Sequence, residues 1–345
     1  MNKETISGTE FNFPEIRIRE WRNGLLVKMP DQLDMALAAL PALAALKKIV
    51  PENCGLFVIT GRENIQLYHA LEFVDDIIVL DISRRFWSKD ERRRVKQLHA
   101  GAALLLNYQF KDVLGLKLAG IPVLYGGNNS WYSLFFAGRF SAGKSEIHGL
   151  LHYYNAIAKA FGGEVFENSF PDFVIPLAAD ELTGKIPYLF HHPLLLSIMP
   201  VKGDLDYAKA ALWWIRHGGI VALFGNSRNR EICKNIAQKL PEKRCFDFCG
   251  RADLFAMMYI FEFSSFSIVD DPGYACLGAV LDAPGLTVCD NENILPTGIV
   301  SNKRITFSRE KGKQITPASI IRIIHKEAKT LNLPLQKSRK RKKSM

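Results

Sequence analysis

Read for apolar and polar positions, the chain alternates two periods. Apolar runs of strand length occur at GLLVKM (24–29), GLFVIT (55–60), DDIIVL (75–80), AALLLN (102–107) and IPVLYG (121–126). Between them DMALAALPALAALKK and YQFKDVLGLKLAG repeat apolar residues at helical spacing. The second half alternates in the same way, with PLLLSIM, GIVALFG, FSIVD and GLTVCD separated by YAKAALWWIRHG, REICKNIAQKL and LFAMMYIFEF. Strand runs alternating with helical segments predict an α/β protein with parallel sheets covered by helices. The halves join through GGEVFENSFPDFVIPLAADELTGKIP, so two doubly wound domains are expected, with a ligand cleft at the strands' carboxyl ends. The basic stretch SRRFWSKDERRRVK (83–96) reads as a solvated helix or loop.

Composition changes this picture little. With 345 residues, 48% apolar and 23% charged, the chain is long enough for two globular domains. Lys, Arg, Asp or Glu interrupts every apolar run before it reaches membrane-spanning length, and MNKETISGTEFNFPEIRIREW is too polar for a secretory signal, so a cytoplasmic protein is expected. Cys54, Cys233, Cys245, Cys249, Cys276 and Cys289 include no C-x-x-C pair, which predicts reduced thiols packed as small apolar residues and no metal site. Of the net charge of +10, six positive charges sit in the acid-free QKSRKRKKSM. A disordered basic tail over 331–345 is expected, suited through 337–343 to an anionic membrane surface; nucleic acid is not the expected partner.

Three strand-to-helix loops carry candidate chemistry. In the first, Pro30 ends a strand; Asp31 fits an N-cap and Asp34 then falls at N3, near the positive helix end. The same place, at the carboxyl end of a strand in an open sheet, suits a general base that takes a proton from a bound hydroxyl. Local sequence leaves both roles open. The second loop, ALFGNSRNREIC, sets Gly225, Asn226 and Ser227 before a helix, where backbone N–H groups can meet phosphate or a ribose hydroxyl. The third, FSIVDDPGYACLGAVLDAPGLTVCD, puts Asp270, Asp271, Pro272 and Gly273 at another strand-to-helix turn. Neighbouring aspartates diverge, so capping plus one functional group fits better than a metal pair.

Together these loops resemble glycosyltransferase family 9, the ADP-heptose:lipopolysaccharide heptosyltransferases. Lys28 precedes Asp34 by six residues, as in R-L-S-x-L-G-D, and Leu40-Pro41-Ala42-Leu43 follows as in L-P-A-L. NYQFKDVLGLKLAGIPVLYGG is similar to N-S-F-R-S-A-x-x-x-x-L-A-G-I-P-x-R-x-G; HGLLHYYNAI matches H-x-V-x-x-Y through His148 and Tyr153; VALFGNSRNREI matches V-x-L-F-G-x-x-x-D-x-E-I. DDPGYACLGAVLDAP aligns without gaps with N-D-S-G-P-M-H-L-A-A-A-L-G-T-P, and ITPASI is similar to the closing helix. The resemblance runs in order from Leu25 to Ala328.

It implies a GT-B fold with two Rossmann-like domains, 1–175 for the acceptor and 176–330 for the nucleotide sugar. It also implies metal-independent, inverting sugar transfer to an anionic glycolipid acceptor, without cofactor and from an ADP-linked donor. Asp34 is then the catalytic base; Lys28 and Asn107 fall to the acceptor, and Lys202, Gly225, Asn226, Ser227, Asp271, Gly273 and Cys276 to the donor. The chain departs from the pattern at Pro30, Leu33, Pro272 and Cys276, which stand for Ser, Gly, Ser and His, and it lacks K-R-W-P, leaving Lys202 as diphosphate partner. A thiol offers a weak donor in place of two imidazole nitrogens, so contacts at Cys276 are altered. A non-catalytic relative that binds nucleotide, sugar or a protein is the alternative.

Overall fold

The computed structural model describes residues 2–6, 9–13, 21, 23–127, 131–140, 149–166, 169–176, 189, 191–201, 206–289, 297–308 and 315–336. The chain divides into two compact units: Met1–Val174 with Pro296–Ile299, and Ile175–Leu295 with Val300–Met345.

In the first unit, β1 (Asn2–Ile6) and β2 (Thr9–Phe13) form an antiparallel hairpin. The main sheet uses β3 (Gly24–Lys28), β4 (Gly55–Gly61), β5 (Asp76–Leu80), β6 (Ala102–Leu105), β7 (Val123–Gly127) and β8 (Gly138–Phe140). They run parallel in the order β5-β4-β3-β6-β7-β8, so the topology reverses between β3 and β6. The second unit repeats the plan with β9 (Leu195–Met199), β10 (Ile220–Leu223), β11 (Cys245–Asp247), β12 (Phe266–Val269), β13 (Gly285–Cys289) and β14 (Arg304–Ser308), ordered β11-β10-β9-β12-β13-β14. All its pairings are parallel, with the reversal between β9 and β12. In such sheets ligands gather outside the strands' carboxyl ends at the reversal.

The central strands β3 and β9 are buried along their whole lengths, as a parallel sheet covered on both faces requires. Leu26, Ile59, Ile78 and Leu124 build one core; Leu196, Ile198, Trp214, Val221, Phe266 and Ile320 build the other.

The long helix expected over 34–48 is two helices, Leu33–Ala38 and Leu40–Ile49. Pro41 has no N–H to extend the first helix and suits the opening turn of the second. The basic stretch is half loop and half helix, Lys89–Gln97, started by a Ser88/Glu91 capping box. Helix Pro317–Thr330 closes the second unit, and the tail expected from 331 does not begin there. Leu331, Leu333 and Leu335 pack on the core and Gln336 N–H donates to His217 O at 3.0 Å; 337–345 lie outside the described residues. Gly149 has φ +102°, and a Cβ there would stand 2.8 Å from the Gly298 backbone, so this close approach of the chain requires glycine.

Candidate active site

The turn after β3 is built around a buried lysine. Lys28, 2% exposed, donates from Nζ to Asp31 Oδ1 and to Met29 O, each at 2.8 Å. Asn64 Nδ2 holds Asp31 O at 2.9 Å. Asp31 therefore neutralises Lys28 instead of capping the helix: Gln32 is the N-cap, without a side-chain bond, and Asp34 moves from the expected N3 to N2. Lys28, expected on the acceptor side, lies buried beneath the turn, where both of its hydrogen bonds go to the turn itself.

Asp34 is half-buried and makes no hydrogen bond or ion pair among the described residues. Its neighbour is Tyr154 on helix Leu150–Ala160, whose phenol is pushed well above the ordinary tyrosine range by burial, then by Tyr153 and Asp34. Burial also raises Tyr153. Across the reversal, Leu106 N–H donates to Lys28 O at 3.1 Å, and exposed Asn107 follows on the same sheet edge. His148 lies outside the described residues.

The same edge carries an aromatic surface that apolar periodicity did not reveal. Phe110, at the start of helix Phe110–Leu118, meets Trp131 at 5.3 Å and Tyr132 at 5.9 Å between ring centres. Trp131 and Leu134 are 67% and 70% exposed. Isolated exposed apolar residues are ordinary, whereas these rings stand together.

In the second unit, the turn after β10 requires glycine: Gly225 has φ +148°, and a Cβ there would stand 3.2 Å from Asn229 Oδ1. Exposed Asn226 accepts from Arg228 N–H at 2.9 Å and starts a 3-10 turn, Ser227–Asn229. Arg228, Arg230 and Arg251 are exposed in this region; the first two stand within the loop itself, and Arg251 comes from the β11 connection, outside the ALFGNSRNREIC segment read from the sequence. Lys202 lies outside the described residues.

After β12 the two aspartates divide their tasks. Asp270, 5% exposed, accepts from Val201 N–H at 2.6 Å and Tyr207 Oη at 2.7 Å, tying the ends of β12 and β9 together. Asp271 caps helix Pro272–Val280 by accepting from Tyr274 N–H at 3.0 Å, and half-buried Gly273 is in the first turn. Cys276, in the same helix, is fully buried. The Arg304 guanidinium acts electrostatically on it, with Nη1 2.6 Å from Ser267 Oγ.

Two parallel six-stranded sheets, each reversing between its first and fourth strands in chain order, give the chain the GT-B fold. Solved structures agree over nearly the whole length. ADP-heptose lipopolysaccharide heptosyltransferase II of E. coli aligns with TM-score 0.75 at 16% identity, covering 89% of this chain and 99% of that one. A glycosyltransferase family 9 protein from Veillonella parvula aligns at 0.73 and 15%, covering 89% and 96%. E. coli heptosyltransferase WaaC, solved with ADP, aligns at 0.66 and 15%, covering 89% and 98%. No protein-family model and no curated protein matches the sequence. No helix among the described residues is long and apolar enough to cross a membrane.

Proposed function

We propose that the chain is a glycosyltransferase of the family 9 type, moving a sugar, a heptose, from an ADP-linked donor to a lipopolysaccharide-core or related surface-glycan acceptor, with inversion and without a catalytic metal. The observation that carries this reading is Asp34: a half-buried carboxylate free of hydrogen bonds among the described residues, at the topological reversal of a GT-B sheet. The heptosyltransferase likeness of the fold supports the substrate class.

In this mechanism Asp34 accepts the acceptor hydroxyl's proton as that oxygen bonds to the anomeric carbon. The bond from this carbon to the diphosphate breaks on the opposite face, and the leaving oxygen keeps the electron pair. Charge developing on the diphosphate is met by Arg228 and by N–H groups of the Gly225–Ser227 turn. Asp34 then returns its proton to water. Asn107 and the Trp131 surface receive the acceptor, whose anionic groups also suit the basic residues 337–343 and the cytoplasmic face of a membrane.

The second reading, a non-catalytic binder, is favoured by the donor loop, where Asp271 is committed to its helix cap and Cys276 is buried. Calorimetric titration with ADP, UDP and GDP, followed by a labelled ADP-heptose transfer assay, separates the two. Binding of ADP and label transfer support the enzyme. Binding without transfer to any core acceptor supports the binder.

A further inference from the structure

Cys233, Asp247 and Cys249 come from helix Arg230–Ala237, the end of β11 and the turn beyond it. One ligand atom of each lies within 4.8 Å of the other two, and both cysteines are buried. We propose that these three side chains bind a thiophilic divalent cation, zinc being the ion of best fit.

Two thiolates and one carboxylate are a soft, compact donor set of the kind tetrahedral zinc takes. With Zn–S near 2.3 Å and Zn–O near 2.0–2.2 Å, ligand atoms on one zinc stand about 3.5–3.8 Å apart, so the present spread closes by rotation of side chains. Asp247 is already oriented: its Oδ1 accepts from Cys249 N–H at 2.9 Å, and Oδ2 makes no hydrogen bond among the described residues. The fourth position falls to water or to Cys245, which shares a face of β11 with Asp247.

Charge balance supports the site. Zinc with two thiolates and a carboxylate carries one negative charge, and Arg230 acts electrostatically on Cys249 to offset it. A cysteine ligates zinc as its thiolate, so binding one zinc ion through both thiols releases two protons. No electron transfer is involved. The site backs the Gly225–Ser227 turn: Cys249 Sγ stands 3.3 Å from Asn226 O, and Gly250 N–H donates to Gly225 O at 2.8 Å. Its role is to fix that turn from behind, and ion binding is independent of whether the turn takes a nucleotide.

Cobalt titration of the reduced, chelator-stripped full chain tests the proposal. Expected are one ion per chain, a thiolate-to-cobalt charge-transfer band, displacement by zinc, and release of about two protons per ion. Cys233→Ser and Cys249→Ser abolish the band; Asp247→Asn, which keeps both thiols, weakens affinity at least about tenfold; Cys289→Ser changes nothing. A folded wild-type chain without the band, or an Asp247→Asn chain with unchanged affinity, overturns it. So does cobalt uptake that survives in both folded cysteine variants.

Discussion

Lys28 Nζ and Asp31 Oδ1 meet at 2.8 Å, with the lysine almost wholly inside the protein and the aspartate at its surface. This pair divides the work of two nearby carboxylates. Asp31 is consumed by a buried cation, whereas Asp34, three residues on, makes no hydrogen bond or ion pair among the described residues.

The first prediction follows from that division. Asp31→Asn leaves Lys28 buried and poorly compensated, at a cost of about 1–3 kcal/mol given that Asp31 is partly solvated. Asp34→Asn removes no hydrogen bond among the described residues and leaves the urea midpoint within error. Turnover in the transfer assay nevertheless falls about 100- to 10,000-fold, the range for loss of a general base. Equal loss of turnover and stability in Asp34→Asn would make it a structural residue.

Much of this arrangement was legible in the chain, and the part that was not has physical causes. The central strands could be read because burial on both faces makes them continuous apolar runs, as in Leu25-Leu26-Val27. β8 and β11 have three residues each, too short for a period, and β11 is only half-buried. Asp34 was visible at its strand end, but Asp31 is removed from capping by Lys28, whose buried side chain reaches past the strand end to Met29 O and Asp31 Oδ1. Tyr154 and the Cys233–Cys249 neighbourhood arise from contacts between elements distant in sequence, and no local pattern encodes them.

The turn after β10 should not tolerate a side chain. Gly225→Ala puts a Cβ against Asn229 at a backbone angle that L-residues avoid, costing about 1–3 kcal/mol of local strain. ADP affinity by calorimetry should fall at least about tenfold, with cobalt uptake by Cys233, Asp247 and Cys249 retained. Unchanged ADP affinity in a folded variant would remove this turn from the donor site.

The exposed aromatic edge of the first unit should report on the acceptor alone. Trp131→Ala removes an accessible ring without opening a core cavity, so stability stays level. The acceptor KM rises about tenfold, while ADP affinity and kcat change little. A change in ADP affinity with unaltered acceptor KM would reverse the assignment of the two units.

Helix Lys89–Gln97 offers a pH test. Glu91 accepts from the Ser88 and Asp81 N–H groups at 2.5 and 2.8 Å. Burial alone would raise its carboxyl, but these bonds prevail and hold it below the ordinary glutamate range. A depressed carboxylate stabilises above its unfolded value and loses that contribution as pH falls through the folded one. Glu91→Gln should therefore cost about 1 kcal/mol at pH 7, and the gap from wild type should close below about pH 4. A gap that persists at pH 3 would assign the effect to packing.

Arg304 makes the opposite case, a cation inside the second unit with no carboxylate beside it among the described residues. Nη1 donates to Ser267 Oγ and to Ala283 O, at 2.6 and 3.1 Å; Nε and Nη2 are buried without a hydrogen bond, and Phe261 lies 5.9 Å away. Burial lowers its pKa to about 10. A base depressed by folding destabilises while both states are protonated, and this cost lessens once the native state sheds its proton before the unfolded chain does. Arg304→Met, similar in reach and without charge, should therefore stabilise the chain by about 1–3 kcal/mol at pH 7, as replacement of buried ions by well-packed apolar groups often does. Urea midpoints should differ by a constant amount up to about pH 9 and converge above pH 10. A less stable Arg304→Met chain at pH 7 would mean that the two bonds of Nη1 outweigh desolvation of the whole guanidinium.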